Sequence, residues 1–144
     1  MDIGIENSHI KQLQRDDLQN CFSFWDFKDN LEKRRRIEFE IVNKRRMMYA
    51  YILKDEYVAG MSLYPLEDNT IYLSYLAVQE DARNQGIGTK MINYACEVSK
   101  RNRYSNISLK VDKDNLGAER LYERLGFAIT GTDEHGRNEM RAVL

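Results

Sequence analysis

The run "TIYLSYLAVQEDARNQGIGTKMINYACEVSKR", Thr70–Arg101, decides the fold. Its first part, Thr70–Val78, is apolar on both faces, the pattern of a central strand covered on each side. Its last part is helical, with Ile87, Met91, Tyr94, Ala95 and Val98 on one stripe. Between them stands Arg83-x-x-Gly86-x-Gly88, which sets two of the chain's eight glycines one residue apart. Glycine lets a backbone come close to a ligand, and a helix start offers N–H groups without partners. Amides from Asn84 to Thr89 can point into one concavity, helped by the helix dipole and Arg83, which suits a pyrophosphate. The same Gly-x-Gly spacing also ends turns and opens helices where no ligand binds. A P-loop is excluded, since Gly-x-x-x-x-Gly-Lys-Ser/Thr does not occur. A dinucleotide fingerprint is excluded too. Met91 stands where its third glycine would be, and the segment lies midway along the chain rather than in a first βα unit.

Outward from this unit, the pattern predicts a strand at His9–Leu13 and a helix over Arg15–Phe27 capped by Asp16. A second helix is expected over Asp29–Arg46. Strands Met47–Lys54 and Tyr57–Pro65 form a hairpin through Asp55–Glu56, and Glu67–Asn69 turns the chain into Thr70–Val78. Downstream, "NISLKVD" (Asn106–Asp112) alternates strictly. "NLGAERLYERLGF" (Asn115–Phe127) repeats a helical stripe through Ala118, Leu121, Tyr122 and Leu125 and stops at Gly126. "FAIT" and "NEMRAVL" close the chain as strands. The last can pair within the sheet or across a homodimer. The order β-α-α-β-β-β-α-β-α-β-β describes an α/β mixed sheet with helices on both faces, read as one domain over residues 1–144.

Composition narrows the partners. A net charge of −1 provides no global field to attract nucleic acid or membrane. Lys33–Arg36 and Lys44–Arg46 are basic, but Glu32, Glu38 and Glu40 are interspersed, so this reads as a solvated helix face. Cys21 and Cys96 lack metal-ligand spacing, and no metal site or disulfide framework is expected. The start "MDIGIENSHIKQL" has no signal-like apolar region, and no run approaches a membrane span. A cytoplasmic protein is expected.

Two separated segments, "LAV" (Leu76–Val78) with Arg83-x-x-Gly86-x-Gly88, and Asn115 with "LYERLGF" (Leu121–Phe127), together resemble the acetyl-CoA-dependent GNAT acetyltransferase superfamily. The matching element order covers nearly the whole chain. The resemblance implies a mostly antiparallel sheet of about seven strands flanked by four helices, and acetyl-CoA as cofactor. By that analogy the pyrophosphate sits on Arg83, Asn84, Gln85, Gly86, Ile87, Gly88 and Thr89. The pantetheine arm runs like an added strand along Leu76, Ala77 and Val78, where the Thr70–Val78 and Asn106–Asp112 strands splay. Asn115 and Tyr122 are further cofactor contacts, although Asn115 equally suits a helix cap. Two departures stand out: Gln79-Glu80 where many members carry proline, and Asn84-Gln85 where many read Arg-Gly-x-Gly.

The implied chemistry joins an acetyl group to a primary amine of a small molecule, peptide or protein by direct transfer. It requires a neutral amine, stabilisation of an oxyanion and a proton for the departing thiolate. Tyr122 resembles the family's thiolate-protonating tyrosine, though its place on the apolar stripe also suits a core role. The base is not identified; Glu38, Glu67, Asp68, Asp112, or a water path along Ser74 and Tyr75, are candidates. Lys110 stands where the branch acetylating protein N-termini often has glutamate. For the acceptor, Trp25, Arg35, Glu38 and Tyr75 are the expected contacts, although Phe22, Phe24, Trp25 and Phe27 equally suit core packing. Arg35 and Glu38 fall within the arc of Leu31, Ile41 and Val42, where they either form a simple i,i+3 pair or face the acceptor. A non-catalytic acyl-CoA-binding module is the rival reading, and a nucleic-acid module built on the basic helix is a distant third.

Overall fold

The computed structural model describes residues 7–144; Met1–Glu6, part of the polar start read above, lie outside the described residues. Seven strands form one sheet: β1 Ser8–Gln12, β2 Met47–Leu53, β3 Glu56–Pro65, β4 Thr70–Val78, β5 Asn106–Asp112, β6 Ala128–Thr132 and β7 Arg137–Val143. Their spatial order is β1-β2-β3-β4-β5-β7-β6. Every neighbouring pair is antiparallel except β4 and β5. A parallel pair needs a crossover, and the helix α2 (Ile87–Arg101) provides it. The other α-helices are α1 (Leu31–Val42) and α3 (Leu116–Arg124). The sequence pattern identified all seven strands.

Helices lie over both faces of the sheet. Ile87, Met91, Ile92, Ala95 and Val98 of α2 join Met61, Leu63, Ile71, Ile107 and Leu109 in one core, against which Tyr122 and Leu125 pack. Leu18, Cys21, Trp25, Phe27 and Ile37 form the other core with Met48 and Ala50.

The expected Arg15–Phe27 helix is instead two 3-10 segments, Arg15–Asn20 and Asp26–Lys28. A Cβ on Gly60 of β3 would run into the rings of both Phe24 and Trp25. Two consecutive residues cannot face one point from an α-helix, so packing onto Gly60 breaks the helix. The start is not capped by Asp16 either. Gln14 and Asp17 form a reciprocal capping box, and the Asp17 carboxylate accepts from Gln14 N at 2.8 Å.

Two further details differ from expectation. The β2–β3 turn is Lys54 and Asp55, with φ of 51° and 66°, the type I′ geometry that matches strand twist. In α1 the buried residue is Ile37, while Leu31 and Val42 are 53% and 58% exposed. Arg34, not Arg35, pairs with Glu38, at 3.2 Å, and Arg35 faces solvent. The apolar arc was mislocated because α1 buries only a narrow strip. β7 pairs with both β5 and β6, so its two edges are filled within the chain rather than across a dimer.

Candidate active site

β4 and β5 pair only through Thr70, Ile71 and Tyr72 with Asn106, Ile107 and Ser108. Beyond Tyr72 the strands part. β4 continues to Val78 against β3 alone, so from residue 73 its β5-facing edge lacks a strand. Such an edge holds amide and carbonyl groups that an amide-rich chain can pair with.

A bulge sharpens the split. Ser62 pairs with Ser74 and Gly60 with Ala77, so Met61 alone faces both Tyr75 and Leu76. Tyr75 takes φ +56°, an uncommon conformation for a non-glycine residue. Trp25 holds it there: its indole Nε1–H donates to the Tyr75 carbonyl at 2.9 Å. The indole is 8% exposed and occupies the space left by Gly60. Trp25 therefore supports the strand edge from the core, and it borders the outer cleft rather than the inner one.

At the outer end of the split lies a cleft of about 970 Å³, lined by Leu76–Glu80, Arg83, Asn84, Asn115 and Ala118 on one side and Phe22–Asp26 on the other. The Arg83 guanidinium donates from Nε to the Val78 carbonyl at 2.9 Å, tying the loop to the strand end. Asn84 (φ +63°) and Gly86 (φ +77°) are both left-handed, and Gly86 caps α2. Asparagine tolerates that conformation better than most side chains, which explains it in place of glycine. A Cβ on Gly86 or Gly88 would meet nothing within 4 Å. Protein packing thus does not require glycine at position 88; its bare Cα keeps the helix mouth open. The N–H groups of Ile87, Gly88 and Thr89 precede the first helical bond acceptor turn, so this mouth fits a pyrophosphate. Ile87 contributes only backbone, since its side chain is buried in the core. Buried Gln79 donates to Asp81 at 2.7 Å, fixing the exit from β4 without proline.

The inner end opens into a second cleft, of about 850 Å³, whose lining includes Ser74, Tyr75, Leu76 and Tyr122. Leu76 borders both clefts. Helix α3 spans them: Asn115 and Ala118 touch the outer cleft and Tyr122 the inner one. Asn115 is indeed a cap, its Oδ1 accepting from Ala118 N at 3.2 Å. At the other end Phe127 N donates to the Tyr122 carbonyl at 3.0 Å and Gly126 N to that of Glu123 at 3.1 Å. With Gly126 at φ +97°, this is a Schellman stop. The Phe127 ring lies 6.1 Å from that of Tyr122. "LYERLGF" thus encodes the device that fixes the Tyr122 ring. Burial raises the Tyr122 pKa, so its phenol keeps its proton.

Among the other expected contacts, Tyr75 lines the inner cleft, with Lys33 Nζ 4.9 Å and the Arg46 guanidinium 5.5 Å from its ring. Arg35 and Glu38 line neither cleft, and neither do Glu67, Asp68 or Asp112. The sequence reading took Arg36, Arg45, Arg46 and Glu40 for a solvated helix face and passed over Arg137; all five line the inner cleft, and Glu40 is its one carboxylate among the described residues. The face of α1 that Arg36 and Glu40 occupy follows from where Ile37 packs, which periodicity misjudged; Arg45 and Arg46 follow in the connection to β2, and Arg137 opens β7. Gly60 was the available signal for the Trp25 contact, since glycine inside a strand marks a close approach. The Ser74 hydroxyl is buried without a hydrogen-bond partner. Basic residues of α1 are largely paired: Lys33 with Asp26, Arg34 with Glu38, Arg36 with Glu40. Among the described residues, no cluster of three His, Cys, Asp or Glu is placed to hold a metal, and no helix is long and apolar enough to cross a membrane.

The sheet thus parts between its two parallel strands, with a glycine-opened helix at the mouth and the half-buried Tyr122 phenol at the inner end. The sequence profile of the acetyltransferase (GNAT) family matches residues 10–127, and the chain belongs to that family. It is 30% identical over 118 residues to N-alpha-acetyltransferase 30 of Schizosaccharomyces pombe, spanning 82% of this chain and 75% of that protein. Two solved structures share the fold. PaiA N-acetyltransferase of Thermoplasma acidophilum, in complex with coenzyme A, superposes with a TM-score of 0.80 at 16% identity, covering 95% of this chain and 99% of the other. A GNAT family acetyltransferase of Elizabethkingia anophelis with acetyl-CoA bound superposes with a TM-score of 0.74 at 18% identity, over 96% and 99%.

Proposed function

We propose that this protein transfers an acetyl group from acetyl-CoA to a primary amine by direct attack, with both substrates bound together. The observation that carries this reading is the continuity of the two clefts through the β4 split, with Tyr122 at the inner end. Residues 83–89 would hold the pyrophosphate with backbone amides and Arg83, and the edge of Leu76, Ala77 and Val78 would pair with the pantetheine arm. When bound there, acetyl-CoA supplies an activated thioester carbonyl. Backbone N–H groups beside the Tyr75–Leu76 bulge orient that carbonyl oxygen and stabilise negative charge on it. The Tyr122 hydroxyl delivers a proton to the departing sulfur, a task for a phenol that burial keeps protonated.

Direct transfer is supported by the state of the cysteines. Cys21 is fully buried, and burial pushes its thiol pKa up to about 12. Burial raises that of Cys96 as well, and neither lines the clefts. A protonated thiol is a poor nucleophile, so neither cysteine is a candidate for a covalent acetyl-enzyme. The test is release of free thiol from acetyl-CoA across a panel of amines, with calorimetry of acetyl-CoA binding alongside. Acceptor-dependent release is expected. Binding without release for any amine would replace the transferase by an acyl-CoA-binding module.

A further inference from the structure

The inner cleft carries an excess of positive charge on one wall. Its β5–β7 wall has Lys110 and Arg137, and both are neutralised. Asp133 lies 3.4 Å from Lys110 and 2.9 Å from Arg137, with Glu139 4.0 Å from Lys110. The opposite wall, from α1 and its connection to β2, has Arg36, Arg45 and Arg46. Glu40 is its one carboxylate, 3.3 Å from Arg46 and 3.8 Å from Arg36. Arg45 has no carboxylate in ion-pair range among the described residues; its guanidinium lies 5.8 Å from the ring of Phe39. That wall therefore has three guanidinium groups against one carboxylate, in a chain whose net charge is −1.

Arg46 is placed rigidly. Its side chain is 9% exposed, it donates to Ser62 Oγ at 2.6 Å, and its guanidinium lies 4.8 Å from the Tyr64 ring. Its Nε–H is nevertheless buried without a partner. Arg36 and Arg45 beside it are exposed and open to a ligand. A planar carboxylate matches the arginine fork.

Resting on the reading above, we propose that the acceptor is a small primary amine that carries a carboxylate, bound by the Arg36–Arg45–Arg46 wall. A polyamine or an aminoglycoside would meet like charge there. The same cations disfavour the ammonium form of a nearby amine, which lessens the need for a strong base.

The experiment compares kcat/KM for free amino acids, their primary amides, phosphoethanolamine and spermidine, on wild type and on the Arg45→Gln variant. Arg45 is exposed, so the variant folds. The acid is expected to exceed its amide by roughly tenfold or more, the worth of one charge-assisted hydrogen bond. In Arg45→Gln that ratio should fall towards one through KM, with acetyl-CoA affinity retained. Amides or spermidine used as well as acids, phosphoethanolamine preferred over every carboxylate, or an acid-to-amide ratio unchanged by the variant, would each overturn the proposal and leave the transferase intact. Should no amine turn over, the transferase reading fails by itself. Calorimetry of acid against amide on the coenzyme A-loaded protein then decides the inference: tighter binding of the acid supports it and equal binding overturns it.

Discussion

Tyr122 and Trp25 act on the same split from opposite ends, and single substitutions separate their work. Tyr122→Phe removes one hydroxyl and keeps the ring against Phe127. Turnover should fall by about 10²–10⁴-fold, while calorimetry should give an unchanged affinity for acetyl-CoA. A comparable turnover in the variant would remove Tyr122 from the chemistry. The sign of its pKa shift also predicts a pH profile. A raised pKa keeps the acid form present to higher pH, so the Tyr122-dependent loss of kcat should begin above the usual phenol range. Trp25→Phe deletes the bond to the Tyr75 carbonyl and should cost about 1 kcal/mol of stability. Because that bond holds the bulge, acetyl-CoA affinity should weaken as well; chemical denaturation and calorimetry measure the two effects. The placement of Tyr122, on a helix stopped at Gly126, was readable from "LYERLGF". That of Trp25 was not, since its partner is a backbone carbonyl fifty residues away.

Helix α3 shows how an element turns a local motif into placement. Asn115 starts it, Gly126 stops it, and its nine residues, Leu116–Arg124, carry Tyr122 to the inner cleft. Gly126→Ala forces a Cβ into the left-handed conformation at φ +97° and should cost about 1–2 kcal/mol. Loss of the Schellman stop also loosens Phe127 against Tyr122, so kcat should drop more than acetyl-CoA affinity does. Thermal unfolding with steady-state kinetics would show this, and an unchanged kcat would mean that the ring is held by other contacts. Elements with a strong local signal were legible: β4, α2, β5 and α3 fall within a residue or two of their expected bounds. The segment 15–27 was not. Its periodicity favoured a helix, and contact of Phe24 and Trp25 with one glycine of β3 prevailed over that preference.

At the scale of the molecule, the sheet's far side depends on the turn between β6 and β7. Asp133 accepts from the backbone N–H groups of Arg137 and His135, at 2.8 and 2.9 Å, and from Arg137 Nε at 2.9 Å. The backbone bond from Arg137 leads in lowering its carboxyl pKa to about 2. A carboxyl depressed in the folded state stabilises fully above its unfolded value, near 3.8, and loses that contribution as pH falls through about 2. Stability measured across this window should decline with acid, and Asp133→Asn should flatten that part of the slope. An identical slope in the variant would assign the acid sensitivity to other carboxylates.

The sequence by itself determined the order of the seven strands and of the three α-helices, the open helix mouth at Gly86 and Gly88, and the capped helix that carries Tyr122. Those features rest on periodicity, left-handed backbone and short caps, whose causes lie within a few residues. Only the tertiary structure decided which side chains form the walls of the inner cleft. Arg45, Arg46, Glu40, Ser74 and Tyr72 come from three elements, and their faces depend on how deeply Ile37 packs and where β4 bulges. Local spacing cannot encode that meeting, because the energies that set it are packing contacts between residues far apart in the chain.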